Sequence, residues 1–385
     1  MASDLAVDPV ALLSDLVRCA SVTPTEAGVL DVIERALTPL GFTVTRLWFE
    51  GDGSYPVDNL FATRGSSGPH LLFNGHTDVV PPGDRSLWTH EPFGAEIVGD
   101  TLYGRGAVDM KSGIAAFIAA AAQPTARGRV SLAITNDEEA DGINGTAKLM
   151  QWAAAQGHSF DFAIVGEPSA TARVGDSIKI GRRGSLNGRI TVTGVQGHVA
   201  YPQKALNPLP VAASLISALS GTLDDGSEHF PSSNLEFTSA DVGNSVTNVI
   251  PATVTLAFNV RYNDHWTPQS LEEAIREGIE SQDDEGTQIE LDVLGTPSRS
   301  FISPVSGAVE LLAQVIEAET GSRPELSTGG GTSDARFVAQ YCPVVECGLP
   351  GPTMHKADEN VPLADVRALT KLYAAFIRKF TGGSA

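Results

Sequence analysis

His70-Leu-Leu-Phe-Asn-Gly-His-Thr-Asp-Val-Val-Pro81 sets a short apolar run directly ahead of a His-x-Asp pair. The run has the length of a buried strand, and the pair falls where that strand should end. Two further runs repeat the arrangement: Val130 to Thr135 leads into Asn136-Asp-Glu-Glu139, and Phe162 to Val165 leads into Gly166-Glu-Pro168. Helical spacing surrounds them, at Val10, Leu13, Leu16 and Val17, at Val29, Val32, Ile33 and Leu37, in the alanine-rich segment after Lys111, and around Leu149 and Met150. Strands alternating with helices predict an α/β layout with a largely parallel sheet. Ligands of such sheets gather outside the carboxyl ends of strands, which is where His76, Asp78, Glu138, Glu139 and Glu167 are expected.

From about residue 184 the rhythm changes. Strand 185–194, helix 207–220, strand 234–242, strand 249–262, helix 268–281 and strand 287–294 give the order β-α-β-β-α-β of the split-βαβ sandwich. We therefore expect an inserted domain over 182–294, with hinges at Arg182-Arg183-Gly184 and Gly295-Thr296-Pro297. The catalytic domain is then discontinuous, 1–181 plus 295–385. Its second part carries a helix from Val305 to about Glu319, the Gly329-Gly330-Gly331 loop, a short helix near Ala335, a strand from Pro343 to Glu346 and a last helix from Leu363 to Lys379.

Composition narrows the class. A chain of 385 residues with 42% hydrophobic and 19% charged residues has a globular profile and is long enough for two cores. Against 46 Asp plus Glu stand 26 Lys plus Arg, a formal net charge of -20, which repels phosphate backbones and argues against nucleic-acid binding. No apolar run approaches the length of a membrane span and the N-terminal residues carry no basic segment, so a cytoplasmic location is expected. Cys19, Cys342 and Cys347 are too few for a disulfide framework and read as free thiols.

Each acid or histidine has an ordinary reading beside the chemical one. A lone His or Asp after a strand commonly caps or closes a turn, and Asp109, in the glycine-rich stretch Gly104 to Gly113 before the alanine helix, could be an N-cap. Adjacent acids such as Glu138 and Glu139 are often merely solvated, but a coordinating carboxylate beside one that faces an activated water needs such a pair. Pro168 holds Glu167 extended, which aims the acid away from a cap. His355 follows the Pro/Gly-rich loop after the strand at Val344 and Val345. Together His76, Asp109, Glu139, Glu167 and His355 supply two imidazoles and three carboxylates, a donor set for two borderline divalent ions sharing Asp109. Asp78 is expected to accept from the second ring nitrogen of His76 and fix its tautomer.

Gly75-His-Thr-Asp-Val-Val-Pro81 with Trp88, Pro92 and Phe93, then Gly104-Arg-Gly-Ala-Val-Asp-Met-Lys111, Asp137-Glu-Glu139 and Gly166-Glu-Pro168, resemble the M20 metallopeptidase/deacylase family, and the resemblance covers nearly the whole chain. It implies a zinc-exopeptidase-like catalytic domain and a ferredoxin-like inserted domain through which a homodimer forms. It also implies two divalent metal ions, zinc with cobalt able to substitute. His76 and Glu167 would hold one ion, Glu139 and His355 the other, and Asp109 both; Glu138 would be the general base and later acid. His198 would supply an oxyanion donor across the dimer interface. Arg182, Ser185, Tyr201, Asn248, Arg261, Gly331 and Thr332 would line the pocket for a small-molecule anionic N-succinyl amino-acid substrate, the two arginines pairing with its carboxylates. These motifs are shared with acetylornithine deacetylases and aminoacylases, so another N-acyl amino acid is the alternative substrate.

Overall fold

The computed structural model describes residues 7–123 and 127–382. Two compact units divide the chain. One takes the residues up to Gly181, 302–327 and those from Ser333 onward; the other takes Arg182–Phe301 and Thr328–Thr332.

The first unit is built on an eight-stranded sheet. At its centre the strands Arg129–Thr135, His70–His76, Phe162–Val165 and Val344–Glu346 lie side by side and mutually parallel. His70–His76 is buried at every position, as a strand covered on both faces must be, which explains its unbroken apolar reading. The helix Ser112–Ala121 is likewise buried at all ten positions. It packs against Pro9–Arg18 and Leu363–Phe380, and Phe117 stacks on Phe73 with Tyr373 edge-on to both. Aromatic pairs of this kind add about 0.5–1.5 kcal/mol beyond their buried area.

Two parts of this unit are not among the elements expected from the sequence. Strands Thr43–Gly51 and Ser54–Arg64 form an antiparallel hairpin that extends the sheet beyond Arg129–Thr135. Thr43–Gly51 has no buried residue, so it carries no apolar alternation to detect. The short strands Glu96–Val98, Thr101–Tyr103 and Asn360–Pro362 form a separate small sheet.

The second unit is an antiparallel sheet whose four long strands run in the spatial order Asn234–Asp241, Thr253–Tyr262, Gly184–Thr193, Gln288–Ser298. Together with helices Pro208–Leu219 and Pro268–Glu280 this is the βαββαβ sandwich. Thr253–Tyr262 alternates buried and partly exposed residues without a break, and its inward side chains Val254, Leu256, Phe258 and Val260 join Val211, Leu215, Leu271 and Ile275 in a separate core. Gly188 lies under the Phe258 ring, where any side chain would collide. The single strand expected over 249–262 is interrupted: Val249–Ile250 pairs with Gly197–His198, and the long strand begins at Thr253. Pro251, which has no N–H to give a ladder, accounts for the break.

Candidate metal centre

His76 is the last residue of its strand, Glu138 and Glu139 follow Arg129–Thr135, and Glu167 follows Phe162–Val165. His355 lies in the loop after Val344–Glu346, at a left-handed backbone position with φ 61°. Four neighbouring parallel strands thus deliver their C-terminal ends to one place. Asp109 arrives from the irregular turn Ala107–Lys111 ahead of the buried helix, and it caps nothing: residue 111 occupies the N-cap position.

Asp109 stands between the two imidazoles. Its Oδ1 lies 3.1 Å from Nε2 of His76 and its Oδ2 lies 3.2 Å from Nε2 of His355. Glu167 Oε1 approaches His76 Nε2 at 3.4 Å, and Glu139 Oε1 approaches His355 Nε2 at 3.1 Å. His76, Asp109 and Glu139 offer ligand atoms within 4.8 Å of one another, and so do His76, Glu138 and Glu167. Among the described residues no Lys or Arg forms an ion pair with Asp109, Glu138, Glu139 or Glu167.

That charge imbalance sets the proton affinities. Burial opposes a charge on His76, but hydrogen bonds to Asp109 and Glu167 and the surrounding acids outweigh it and hold the imidazole well above its usual range. Hydrogen bonds to Asp109 and Glu139 lift His355 to about 10. Burial, reinforced by the Asp109 charge, pushes Glu167 up to about 8. Burial likewise carries Glu138 well above the carboxylate range, opposed by His76 and reinforced by Glu167, Asp334 and Glu139. Asp109 is itself buried, yet the two imidazoles keep it below the usual carboxylate value. A cluster that gathers protons to offset its own acids is one into which cations fit, and two imidazoles with carboxylates are donors for borderline divalent ions.

Asp78 does something other than expected. The Nδ1 of His76 meets the backbone carbonyl of Asp78 at 2.9 Å, while the nearer carboxylate oxygen is 3.7 Å away. The carboxylate instead accepts from Thr23 Oγ1 at 2.8 Å, Glu138 N at 3.2 Å and Glu139 N at 3.0 Å. The strand ends at His76, and the side chain of Asp78 turns to Thr23 on one side and the segment after Arg129–Thr135 on the other, where three donors satisfy a fully buried acid better than one ring N–H would. Asp78 therefore orients His76 through its backbone and holds Glu138 and Glu139 through its side chain. Sequence reading gave no separate role to Asp137, whose carboxylate closes the following loop by accepting from Tyr55 Oη, Gly142 N and Asn144 N. Its only signal was membership of the acidic run.

The remaining expected residues belong to the second unit, where they form two groups. Arg182 is buried, its Nη1 donating to the Gly329 carbonyl at 2.9 Å, and Gly330, at φ 106°, lies against the guanidinium where a side chain would collide. Ser185 and Arg261 are cross-strand partners, and Asn259 Nδ2 donates to Ser185 Oγ at 3.1 Å. Burial and then the charge of Arg183 lower the proton affinity of Arg261. Gly331 and Thr332 continue the glycine loop into the same unit. In the other group His198 pairs with Val249, the His198 and Tyr201 rings lie 5.9 Å apart, and Val199 N donates to the Asn248 carbonyl at 3.2 Å. His198, Tyr201 and Asn248 are all exposed.

The sequence model of peptidase family M20/M25/M40 matches residues 72–379. A succinyl-diaminopimelate desuccinylase of Rhodopseudomonas palustris is 49% identical, over 97% of this chain and 98% of its own length. Another, from Rhodospirillum centenum, is 50% identical over 99% of both chains. Among solved structures, an M20-family metallo-carboxypeptidase from Sulfolobus solfataricus superposes with a TM-score of 0.78 over 97% of this chain and 99% of its own, at 17% identity. An aminopeptidase from Bacillus cereus gives 0.78 over the same shares at 19% identity. At these identities the structures speak for the fold alone.

Proposed function

The chain belongs to peptidase family M20/M25/M40, and from that premise we propose that it is a metal-dependent amide hydrolase converting N-succinyl-LL-2,6-diaminopimelate and water to succinate and LL-2,6-diaminopimelate. One observation carries the dinuclear reading: the two oxygens of Asp109 face different imidazoles, at 3.1 and 3.2 Å, an arrangement that would suit a carboxylate shared by two cations. Glu167 lies against His76 and Glu139 against His355, which supports one ion on each pair. The substrate rests on relatives about half identical over nearly full length.

Bound divalent cations, zinc with cobalt as a substitute, would polarise the scissile carbonyl and bring the pKa of the attacking water toward neutrality. Glu138 takes the proton from that water as its oxygen bonds to the succinyl carbonyl carbon. The same carboxyl delivers that proton to the amine nitrogen as the C–N bond breaks. Asp78 keeps Glu138 aligned for both transfers through its hydrogen bond to the Glu138 backbone. His198, from the second subunit of a homodimer in the cytoplasm, stabilises the developing oxyanion. Arg182 and Arg261 bind the substrate's carboxylates, so that local cations outweigh the net charge of -20 at contact range. Ser185, Tyr201, Asn248, Gly331 and Thr332 are further substrate contacts.

A panel of N-succinyl-diaminopimelate, N-acetylornithine and N-acetyl amino acids, offered to metal-loaded protein, tests the reading. Preference for the succinyl substrate is expected. Preference for an acetyl amide would reassign the chain to another deacylase of the family.

A further inference from the structure

Glu359 stands four residues after His355 and its side chain is fully buried. Oε2 accepts from Arg105 Nη1 at 2.7 Å and from Gly106 N at 3.0 Å; Oε1 accepts from Val108 N at 2.8 Å and from Asp109 N at 3.3 Å. Its backbone carbonyl accepts from Gly104 N at 2.8 Å. The donors of this turn have few other outlets: Asp109 and Met110 depart from helical dihedrals, so the turn cannot satisfy its own N–H groups as a regular helix would. Charge-assisted bonds from backbone N–H groups to a carboxylate are short and directional, and a buried carboxylate saturated by them is a fixed point.

We propose that Glu359 is a positioning residue, its carboxylate fastening the turn that presents Asp109 to the loop that presents His355 and so fixing the separation of the two ligands. The proposal rests on the reading of Asp109 and His355 as ligands. It explains why a glutamate is buried where a small apolar residue would fill space at less cost: an apolar side chain would leave the N–H groups of residues 106, 108 and 109 without acceptors. It also separates Glu359 from its neighbour Asp358, which binds Thr89 N at 2.8 Å, Thr89 Oγ1 at 2.6 Å and His90 N at 3.1 Å, and so ties the same loop to a segment bearing no ligand. Arg105, which also lies 5.2 Å over the Trp88 ring and donates to the Lys356 carbonyl at 3.3 Å, neutralises Glu359 without touching either ligand.

The test compares Glu359→Gln with Arg105→Met in chelator competition and in the visible spectrum of the cobalt-loaded protein. Glu359→Gln keeps the shape of the side chain but turns an NH2 group toward N–H donors. It is expected to weaken metal binding about 10- to 100-fold, to change the cobalt spectrum, and to lower kcat more than it raises KM. Arg105→Met leaves Glu359 its three backbone donors; it should lower the thermal midpoint while the spectrum and the metal affinity stay those of the parent. If Glu359→Gln is not recovered folded, Glu359→Asp, which keeps the charge but withdraws it by one methylene, takes its place under the same criteria. Parental affinity and spectrum in the folded Glu359 variant would overturn the proposal, as would an Arg105→Met protein that reproduces the loss. A parent protein that binds no divalent metal would overturn the metal-centre reading itself, an outcome distinct from either.

Discussion

The two units present their chemistry in opposite ways. In the first, His76, Asp78, Asp109 and Glu167 are buried and each is held by at least one further polar group, while His355 alone of the expected ligands is exposed, its ring held by Asp109 and Glu139. In the second, His198 at the end of a two-residue strand stands exposed, as do Tyr201 and Asn248, and Arg182 alone among the expected contacts is buried. Ligands to a shared pair of ions tolerate little positional error, and a hydrogen-bonded interior supplies that precision. Groups that meet a substrate as it arrives need access, and exposed turns supply it.

Substitutions on the two sides should therefore fail differently. The largest effect is expected at Glu138: Glu138→Gln should lower kcat about 100- to 10,000-fold with two metal ions still bound per chain, measured by steady-state kinetics beside metal analysis. Loss of metal in that variant would move Glu138 into the ligand set and exchange its role with Glu139. On the exposed side, His198→Ala should lower kcat about 100- to 1,000-fold with metal content intact. An unchanged kcat would confine His198 to its turn, where its Nδ1 already accepts from Ala200 N at 3.0 Å. Next in size, Arg182→Ala should remove a charge-assisted hydrogen bond worth about 1.5–3 kcal/mol, roughly a 10- to 150-fold loss in kcat/KM for a succinyl amide. An acetyl amide lacks the carboxylate, so an equal loss with both substrates would remove Arg182 from succinyl recognition.

The smallest effect concerns the frame of the first unit. Burial, aided by the charge of Arg129, lowers His70 to about 4, and its ring bonds to the Ser159 carbonyl and Ser131 Oγ. Between pH 6.5 and 4 the unfolded chain binds more protons at this residue than the folded one, so its contribution is full above pH 6.5 and declines as the pH falls. Thermal midpoints should drop more steeply between pH 7 and pH 5 for the parent than for His70→Gln. Parallel slopes would assign the acid sensitivity to other groups.

The same contrast explains what was legible in the sequence. Wholly buried segments announce themselves: His70–His76 as an apolar run, Ser112–Ala121 as a stretch of small apolar residues. The half-buried strand Thr253–Tyr262 announces itself by alternation. The hairpin strand Thr43–Gly51 does neither, because no residue of it is buried. At the centre, placement after strands sufficed to collect His76, Glu138, Glu139, Glu167 and His355, since the parallel order of four strands converts sequence position into proximity, whereas Asp109 comes from the glycine-rich turn ahead of the buried helix. It could not show which donor a buried acid would choose. Asp78 reaches the backbone of Glu138 and Glu139, and Glu359 reaches the Asp109 turn, because unsatisfied N–H groups there demanded acceptors. Those demands arise from backbone geometry, which residue type and spacing do not encode.

On the proposed function the first unit holds two ions and both serve hydrolysis of a succinyl amide. Turnover of N-succinyl-LL-2,6-diaminopimelate, followed as zinc is returned stepwise to metal-stripped protein, tests it most directly. Activity should rise to a plateau at two equivalents per chain. A plateau at one equivalent, or turnover that is indifferent to metal, would contradict it.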